Sequence, residues 1–515
     1  MPQGVLTTAD QGVIVAALQS GAATGDDRPL KRIDTHMSHL FLGRTRVYKL
    51  KRDLRHPFAD MSTAEARRQA CEAELAVNRA LAPDLYESVL PVVRDGEAIR
   101  IGGAGQAVDW VVAMRRFPDG ALLDELAVAG TLTPEQVSEA VQVVADFHAG
   151  LAAHGEAGHA VDYRKIIDGL RRTEAEGAET LGVQPASEAL FGALEHALAR
   201  LSPLIEARRQ AGWVRRGHGD LHLRNICLYQ GRVTPFDALE FDPALATSDV
   251  LYDVAFLFMD LRARGLDEHA NLAMNRYWDA SGQPEAALAL LPLFMALRAA
   301  VRMAISVQAG DLVQAADYRQ LGLEILQPAE PRLLAIGGLS GTGKSVLAKA
   351  VVPRLPGSCG GRLLRTDVIR KSLAGLAPGD RLADAAYDGD ARATVYRVLA
   401  QRALEALAAG SSVVADATFR EDPARAAIEG AAGDHAFLGL WLTAPTEVRV
   451  GRVVGRRGDA SDATARVALE QVEPARLGPA WLRLDASRPL GAVAGDVRRL
   501  LVQGRSSEPL QVSST

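Results

Sequence analysis

One eight-residue segment limits the possible folds of this chain more than any other: Gly338-Leu339-Ser340-Gly341-Thr342-Gly343-Lys344-Ser345. It follows a short apolar run, Leu333 to Ile336, and precedes a helical pattern. Gly338, Gly341 and Gly343 let the backbone curl until successive N–H groups point at one place, which is how a loop holds phosphate oxygens. Ser340 and Thr342 complete the cradle. Lys344 would neutralise the outer phosphates and the Ser345 hydroxyl would ligate Mg²⁺. The helix that follows adds its positive end. A chance glycine-rich turn needs neither a strand before it nor a helix after it, and here both are present.

The neighbourhood of this loop predicts an α/β domain with a parallel sheet. Strand-like runs Leu363-Leu364, Val413 to Ala415 and Phe437 to Leu442 alternate with helical stretches. Asp367 follows the first of these runs at a helix start. There it either receives or orients the proton of an acceptor hydroxyl or caps the helix. Asp416 ends the second run, where a carboxylate binds Mg²⁺ or its water or closes a turn. Arg449, Arg452, Arg456 and Arg457 precede Ser461-Asp462-Ala463. Arg452 and Arg456 are candidates for a lid that neutralises charge on a transferring phosphate; a solvated basic helix face is the bland alternative.

Upstream the style changes. Helical periodicity dominates from Thr133 to about Leu204 and again from Ser248 to Leu326. Strand-like segments occur near Leu40 to Leu50 and Val108 to Met114, with a helical segment from Thr63 to Leu81 between them. Residues 1 to about 30 are weakly patterned. Gln327-Pro328-Ala329-Glu330-Pro331 interrupts the last helical run, because each proline forbids helix continuation. The expected division is therefore 1–327, 331–503 and a polar, Ser-rich flexible tail at 504–515.

The upstream region carries its own motif, His218-Gly219-Asp220-Leu221-His222-Leu223-Arg224-Asn225, with Asp237 twelve residues beyond Asn225. Asp220 would accept or orient the proton of an acceptor hydroxyl. Asn225 would reach Mg²⁺ from the same loop, and Asp237 would bridge metal and phosphates. His218 would hold the loop by hydrogen bonding.

Composition removes several classes. Net charge is 58 − 63 = −5, which argues against a broad nucleic-acid surface. Cys71, Cys227 and Cys359 are the only cysteines and form no close pair, so a disulfide scaffold or Cys-rich zinc site is excluded and a reducing, cytoplasmic setting fits. Leu290 to Val307 is apolar but carries Arg298 and Arg302, and reads as a buried amphipathic helix, with no membrane partner expected. His148, His154 and His159 lack metal-ligand spacing.

Residues from about Pro331 to Leu501 resemble the small P-loop kinases of metabolites, the group of gluconate, shikimate and adenylylsulfate kinases; the phosphate loop, Thr366 to Lys371 and Asp416 to Phe419 carry the likeness. Residues from about Asp34 to Leu326 resemble the aminoglycoside phosphotransferase and choline kinase superfamily, where His-Gly-Asp replaces the His-Arg-Asp of protein kinases. Together they resemble bacterial fusions of the two domain types. The resemblance implies an α+β bilobal protein-kinase-like domain followed by an α/β P-loop kinase domain, with ATP and Mg²⁺ as cofactors and a small hydroxylated molecule as phosphate acceptor. It also implies that Lys49 pairs nucleotide phosphates and that Glu74 is its helix partner, with Lys51 and Glu72 as rivals. Asp253 would brace the catalytic loop, Met114 to Phe117 would form the adenine hinge, and Glu240 or Asp242 would either add a metal contact or face solvent, the latter being the expectation. One departure stands out: upstream of Lys49 there is only Gly43 and no G-x-G-x-x-G, so phosphate cover falls to a shorter turn. No Ala-Pro-Glu segment follows Asp237, which argues against a protein acceptor.

Overall fold

The computed structural model describes residues 8–56, 59–240, 246–376, 380, 382, 389–455 and 464–503. It divides into two units, Met1–Leu266 with Leu293–Gly322, and Asp267–Pro292 with Leu323–Thr515.

The first unit opens with helix α1 (Thr8–Gln19) and strands β1 (Lys31–Asp34), β2 (Ser38–Leu42) and β3 (Arg46–Lys51). Helix α2 (Ala64–Asn78) follows, then β4 (Tyr86–Asp95), β5 (Ala98–Ile101) and β6 (Gln106–Arg115). The six strands form one antiparallel sheet in the order β1-β2-β3-β6-β4-β5. Thr63 caps α2 by accepting the Ala66 N–H, and the helix buries Arg67, Cys71, Glu74 and Asn78. That spacing of four, three and four places all of them on one face. This face is unusually polar, so partners are obligatory. Arg67 meets Asp109 of β6 at 2.9 Å, both fully buried.

The rest of this unit is helical: α3 (Pro134–Gly150), α4 (Ala160–Leu181), α5 (Glu188–Gln210), α6 (Val250–Ala263), and, after an intervening segment, α7 (Leu291–Gln308) and α8 (Leu312–Leu326, whose last residues group with the second unit). Every residue of α6 from Val250 to Leu261 is buried, which makes it a core helix rather than a surface one. The run Glu285–Gln308 is long and apolar enough to cross a membrane, and 72% of its most apolar window is buried inside the protein. Arg298 lies in it, held by protein partners described below.

The second unit is built on β11 (Arg332–Gly338), β12 (Arg362–Arg365), β13 (Val413–Asp416), β14 (Ala436–Thr443) and β15 (Trp481–Asp485), all parallel, in the order β12-β13-β11-β14-β15. (The number β7 is given to Val214–Arg216, β8 to Ile226–Tyr229, β9 to Arg232–Pro235 and β10 to Thr247–Asp249.) The central strand β11 is buried from Leu333 onward, as its unbroken apolar sequence requires in a sheet covered on both faces. Leu334, Ile336, Val414 and Leu440 pack with Leu347, Val351 and Val497 in its core. Sites in such sheets lie beyond the carboxyl ends of the strands.

The proline break falls between α8, which ends at Leu326, and β11, which begins at Arg332. Residues 267–292 group with the second unit although they precede that break. The physical reason is Arg362, whose side chain is fully buried. Its guanidinium donates to Asp279 Oδ1 at 2.6 Å, to Glu285 Oε2 at 3.0 Å and to Asn275 Oδ1 at 2.9 Å. A buried cation is tolerated only when carboxylates meet it, and helix 267–281 and the turn after it supply them. Residues 504–515 lie outside the described residues.

Candidate active sites

In the first unit, Lys49 and Lys51 point the same way from β3 because side chains repeat every two residues along a strand. Both are buried, and both meet Glu74: Lys49 Nζ lies 2.8 Å from Oε1 and Lys51 Nζ 2.5 Å from Oε2. Glu72 is exposed and pairs with Arg68, so Glu74 is the helix partner. The lysines then diverge. Lys49 reaches Asp237 Oδ1 at 2.5 Å, while Lys51 donates to Glu240. Glu240 was expected to face solvent; it is buried and anchors the second lysine instead. Asp242 lies outside the described residues. Burial pulls the Lys49 ammonium down, yet Asp237 and Glu74 outweigh it and hold it well above a lysine's ordinary value. Burial pushes the Glu74 carboxyl up, and the two ammonium groups more than reverse that.

The loop bearing Asp220 runs from β7 to the β8–β9 hairpin. Gly219 takes φ +81°, and a Cβ there would sit 2.9 Å from Leu239 Cβ, so the loop requires glycine at this point. Asp253 of α6 accepts the His218 N–H at 2.8 Å and the Gly219 N–H at 2.7 Å, and His148 Nε2 lies 3.0 Å from it. His218 Nε2 donates to the Phe236 carbonyl at 2.9 Å, tying the loop to the segment just beyond β9 that carries Asp237. Asn225 Nδ2 donates to the Asp220 carbonyl at 3.0 Å and to its carboxylate at 2.9 Å. That leaves the Asn225 side-chain oxygen as the atom able to ligate a metal. The Asp220 side chain is 42% exposed, open to an acceptor. Burial of its surroundings raises its pKa, but His222, His218 and Arg298 draw it below the ordinary carboxylate range, so it is ionised. Asp237 sits at φ +61°, a conformation that L-residues adopt at a cost. Its N–H donates to Tyr86 Oη at 3.2 Å, which helps hold it there. Asn225 and Asp237 offer only oxygen, which suits Mg²⁺. In the segment expected to form the hinge, Met114 is buried and the Phe117 ring lies 5.4 Å from that of Phe236.

In the second unit the phosphate loop joins β11 to α9 (Lys344–Val351). Gly341 has φ +85°, and a Cβ on it would collide with the Arg449 backbone. Residues Ser340 to Ser345, Asp367, Asp416 and Arg452 line one cavity of about 1370 Å³. Gly338 ends the strand beneath it. The Ser345 hydroxyl donates to Asp416 Oδ2 at 2.6 Å. Arg365 donates to that same carboxylate oxygen at 3.2 Å and to Ser345 Oγ at 3.1 Å. A cationic group thus already stands against the two oxygens that would hold Mg²⁺, and the donor set fits that metal. Asp367 lies in the first turn of α10 (Thr366–Leu373), whose N-cap is Arg365. The N-cap thus falls two residues before Asp367. Its carboxyl is raised, first by burial and then by Asp416, against the pull of Arg370. Arg452 donates to the Thr342 carbonyl at 3.2 Å and to the Ala486 carbonyl at 2.9 Å, bracing the loop's rim. Arg449 is buried and donates to the Ala468 carbonyl. Arg456 lies outside the described residues.

Several residues of these sites carried no sequence signal strong enough to single them out. Arg298 donates to the Gly219 carbonyl and the Tyr252 carbonyl, each at 3.0 Å, with its guanidinium over the Tyr252 ring. Asn78 accepts the Ala238 N–H at 2.8 Å, and Gln471 accepts the Ser340 N–H at 2.7 Å. The one clue to Arg298 was a charge inside an apolar helix, a pattern that demands an internal partner.

These two geometries can be set beside known proteins. The family model described as AAA domain matches residues 333–476. Uncharacterized proteins of Mycobacterium tuberculosis and Mycobacterium bovis are each 28% identical to the chain over 454 residues, spanning 84% of it and 88% of the relative. Among solved structures, a gluconokinase from Sinorhizobium meliloti covers 34% of the chain and 94% of its own length at 21% identity, with a TM-score of 0.26. A choline kinase from Cryptosporidium parvum covers 61% of the chain and 94% of its own length at 12% identity, with a TM-score of 0.38. By its own geometry the chain joins a unit with an antiparallel sheet and many helices to a unit with a five-stranded parallel sheet and a glycine-rich loop at the end of its central strand.

Proposed function

We propose that this chain is a bifunctional, cytoplasmic ATP- and Mg²⁺-dependent phosphotransferase that acts on small hydroxylated metabolites, with one site in each unit. The observation that supports this reading is duplication: each unit brings together a lysine, oxygen-bearing side chains suited to Mg²⁺ and a further carboxylate, namely Lys49, Asn225, Asp237 and Asp220 in the first and Lys344, Ser345, Asp416 and Asp367 in the second. Mg·ATP supplies the phosphoryl group and most of the neutralising charge.

In the first unit Lys49, set by Glu74, holds the nucleotide phosphates, and Asn225 and Asp237 hold Mg²⁺. Asp220, ionised and half open, accepts the hydrogen bond of the acceptor hydroxyl and orients its oxygen for in-line attack. In the second unit the N–H groups from Gly338 to Gly343 and the Lys344 ammonium hold the phosphates, Ser345 and Asp416 hold Mg²⁺, and Arg452 braces the loop rim. Asp367 orients the second acceptor. No nucleic acid or membrane enters this reading. A second reading, in which the first unit binds nucleotide only to regulate the other, draws support from the short turn at Gly43, where the backbone makes one Gly43 N–H to Arg46 carbonyl bond at 2.8 Å in place of a glycine-rich cover.

Phosphate transfer from labelled ATP to a panel of sugars, polyols and amino alcohols tests both. The full chain, Asp220→Asn, Lys344→Ala and the double variant are compared. Two independent activities, each removed by one variant, are expected. A single activity untouched by Asp220→Asn assigns the first unit to regulation.

A further inference from the structure

We infer that the acceptor of the first unit carries an anionic group, a carboxylate or phosphate, and that an arginine-lined cavity beside the catalytic loop receives it. This rests on the reading of the first unit as a phosphotransferase and gives the chemical class of its second substrate.

The cavity has a volume of about 300 Å³, at the lower end of the range of about 300–1,000 Å³ that small ligands occupy. It is bounded by the catalytic loop, the end of α6, and α7 and α8. Four arginines line it, Arg224, Arg262, Arg264 and Arg302, against two acids, Asp260 and Asp317. Asp260 is already committed: it accepts the Leu223 N–H at 3.0 Å through Oδ2 and the Arg264 Nε–H at 3.1 Å through Oδ1. Arg302 is held in place by the Tyr318 ring, 5.7 Å from its guanidinium carbon. Arg262 and Arg264 also complement the negative end of α6, which accounts for two of the four. Arg224 comes from the catalytic loop and pairs with Asp124 at 3.2 Å, and Arg302 comes from α7; no helix end explains either.

The second observation is His222, which lines the same cavity and is only 9% exposed. Its Nε2 lies 3.4 Å from Asp220 Oδ2, and its ring packs edge-on against Phe256, centroids 5.1 Å apart. His222 thus borders both the reactive carboxylate and the cavity. An acceptor whose hydroxyl meets Asp220 brings the rest of its body against the excess of guanidinium groups in the cavity wall. A polycationic or quaternary-ammonium acceptor would meet that excess as repulsion. A hydroxy acid or a phosphorylated polyol fits both halves.

Matched pairs test this in the full chain with Lys344→Ala, so that the second site is silent: gluconate against sorbitol, glycerate against glycerol, and glucosamine as the cationic probe. The acidic member of each pair should be preferred at least tenfold in kcat/KM. Arg302→Ala should raise KM for it on the order of 10- to 100-fold, the loss of one charged hydrogen bond, with kcat little changed. Arg302→Lys should restore part of that loss. Asp220→Asn separates the two claims: if it abolishes transfer to sorbitol or glucosamine and those are the preferred acceptors, the phosphotransferase reading stands and the anionic class falls. If no probe is phosphorylated, calorimetry of gluconate and glycerate binding to the Lys344→Ala chain decides. Binding weakened by Arg302→Ala supports the assignment; binding that ignores Arg302, or none, overturns it.

Discussion

The two proposed sites would solve the same electrostatic problem with different materials. The second unit would use backbone: eight consecutive residues form the loop proposed to hold the phosphates, and one strand-end acid, Asp416, would supply a metal oxygen. The first unit uses side chains drawn from positions as far apart as Lys49 and Glu240, and stores opposite charges against one another until a ligand arrives. A backbone cradle is set by local conformation and loses little when one side chain changes. A side-chain network is set by burial, and removing one charge strands another.

The largest effect that would sharpen this comparison is kinetic. Asp220→Asn should keep Mg·ATP binding and lower transfer by on the order of 10²–10⁴, because it removes the group that orients the acceptor. Asp237→Asn should weaken Mg·ATP binding itself. Side-by-side nucleotide titrations and transfer rates in a Lys344→Ala background read the contrast, and identical behaviour of the two variants would break it.

Next comes stability. Lys49→Ala leaves Glu74 paired with Lys51 and should leave the fold intact. Lys49→Ala with Lys51→Ala leaves Glu74 and Glu240 buried without a cation, and should cost about 3–5 kcal/mol. Urea unfolding of the single and double variants gives the difference; additive small losses would show that the network is not the store of charge described here.

A smaller change is expected at the backbone-built site. Lys344→Ala should weaken ATP binding there on the order of 10- to 100-fold, the worth of a charged hydrogen bond, and silence transfer because the lysine also neutralises charge on the transferring phosphoryl group, while the fold persists. Calorimetry of the full chain should show one of two binding events shift and the other stay. A shift in both would couple the sites.

The smallest expected effect is on pH, and its sign differs between the units. Asp253 is buried, which raises its carboxyl, but the hydrogen bond from His148 and the charges of His148, His218 and Arg298 outweigh that and hold it at about 2. A depressed folded pKa stabilises above the ordinary value of 3.8 and is lost as pH falls toward 2; that difference is worth about 2 kcal/mol. Asp367 is shifted the other way, chiefly by burial and then by Asp416. Its contribution is favourable below the ordinary carboxylate range and lost as pH rises through the raised value. Thermal unfolding of Asp253→Asn and Asp367→Asn across the acid range should change slope in opposite directions.

Legibility in the sequence followed the same division. The phosphate loop and the Asp220 loop are contiguous, so their residue types and spacing were readable without a fold. The choice between Lys49 and Lys51 was not readable, since period-two geometry puts both on one face and both in fact meet Glu74. Glu240 was misplaced because its partner lies 189 residues away. Helix Thr8–Gln19 went unseen because its stripe is weak; Gln11 fixes it by donating to the Lys51 carbonyl at 2.9 Å and to Asp109 at 3.1 Å. Strand Tyr86–Asp95 carries Pro91 in its interior, and edge strand Trp481–Asp485 has mostly exposed side chains, so neither offered a clean alternation.

The allotment of residues 267–292 to the second unit bears on how the molecule is made. A ribosome emits this segment before Leu293–Gly322, which finishes the first unit, and well before Arg362, its charge partner. Neither unit is therefore complete when the other begins, and Asp279 and Glu285 wait in the nascent chain for a cation about eighty positions downstream. A gene fragment ending at the proline break would leave that waiting state permanent, and one starting there would bury Arg362 with no acid to meet it. The two folds differ in architecture but are interleaved along the thread, so a productive dissection must carry residues 267–292 with the second half, by circular permutation or by co-expression.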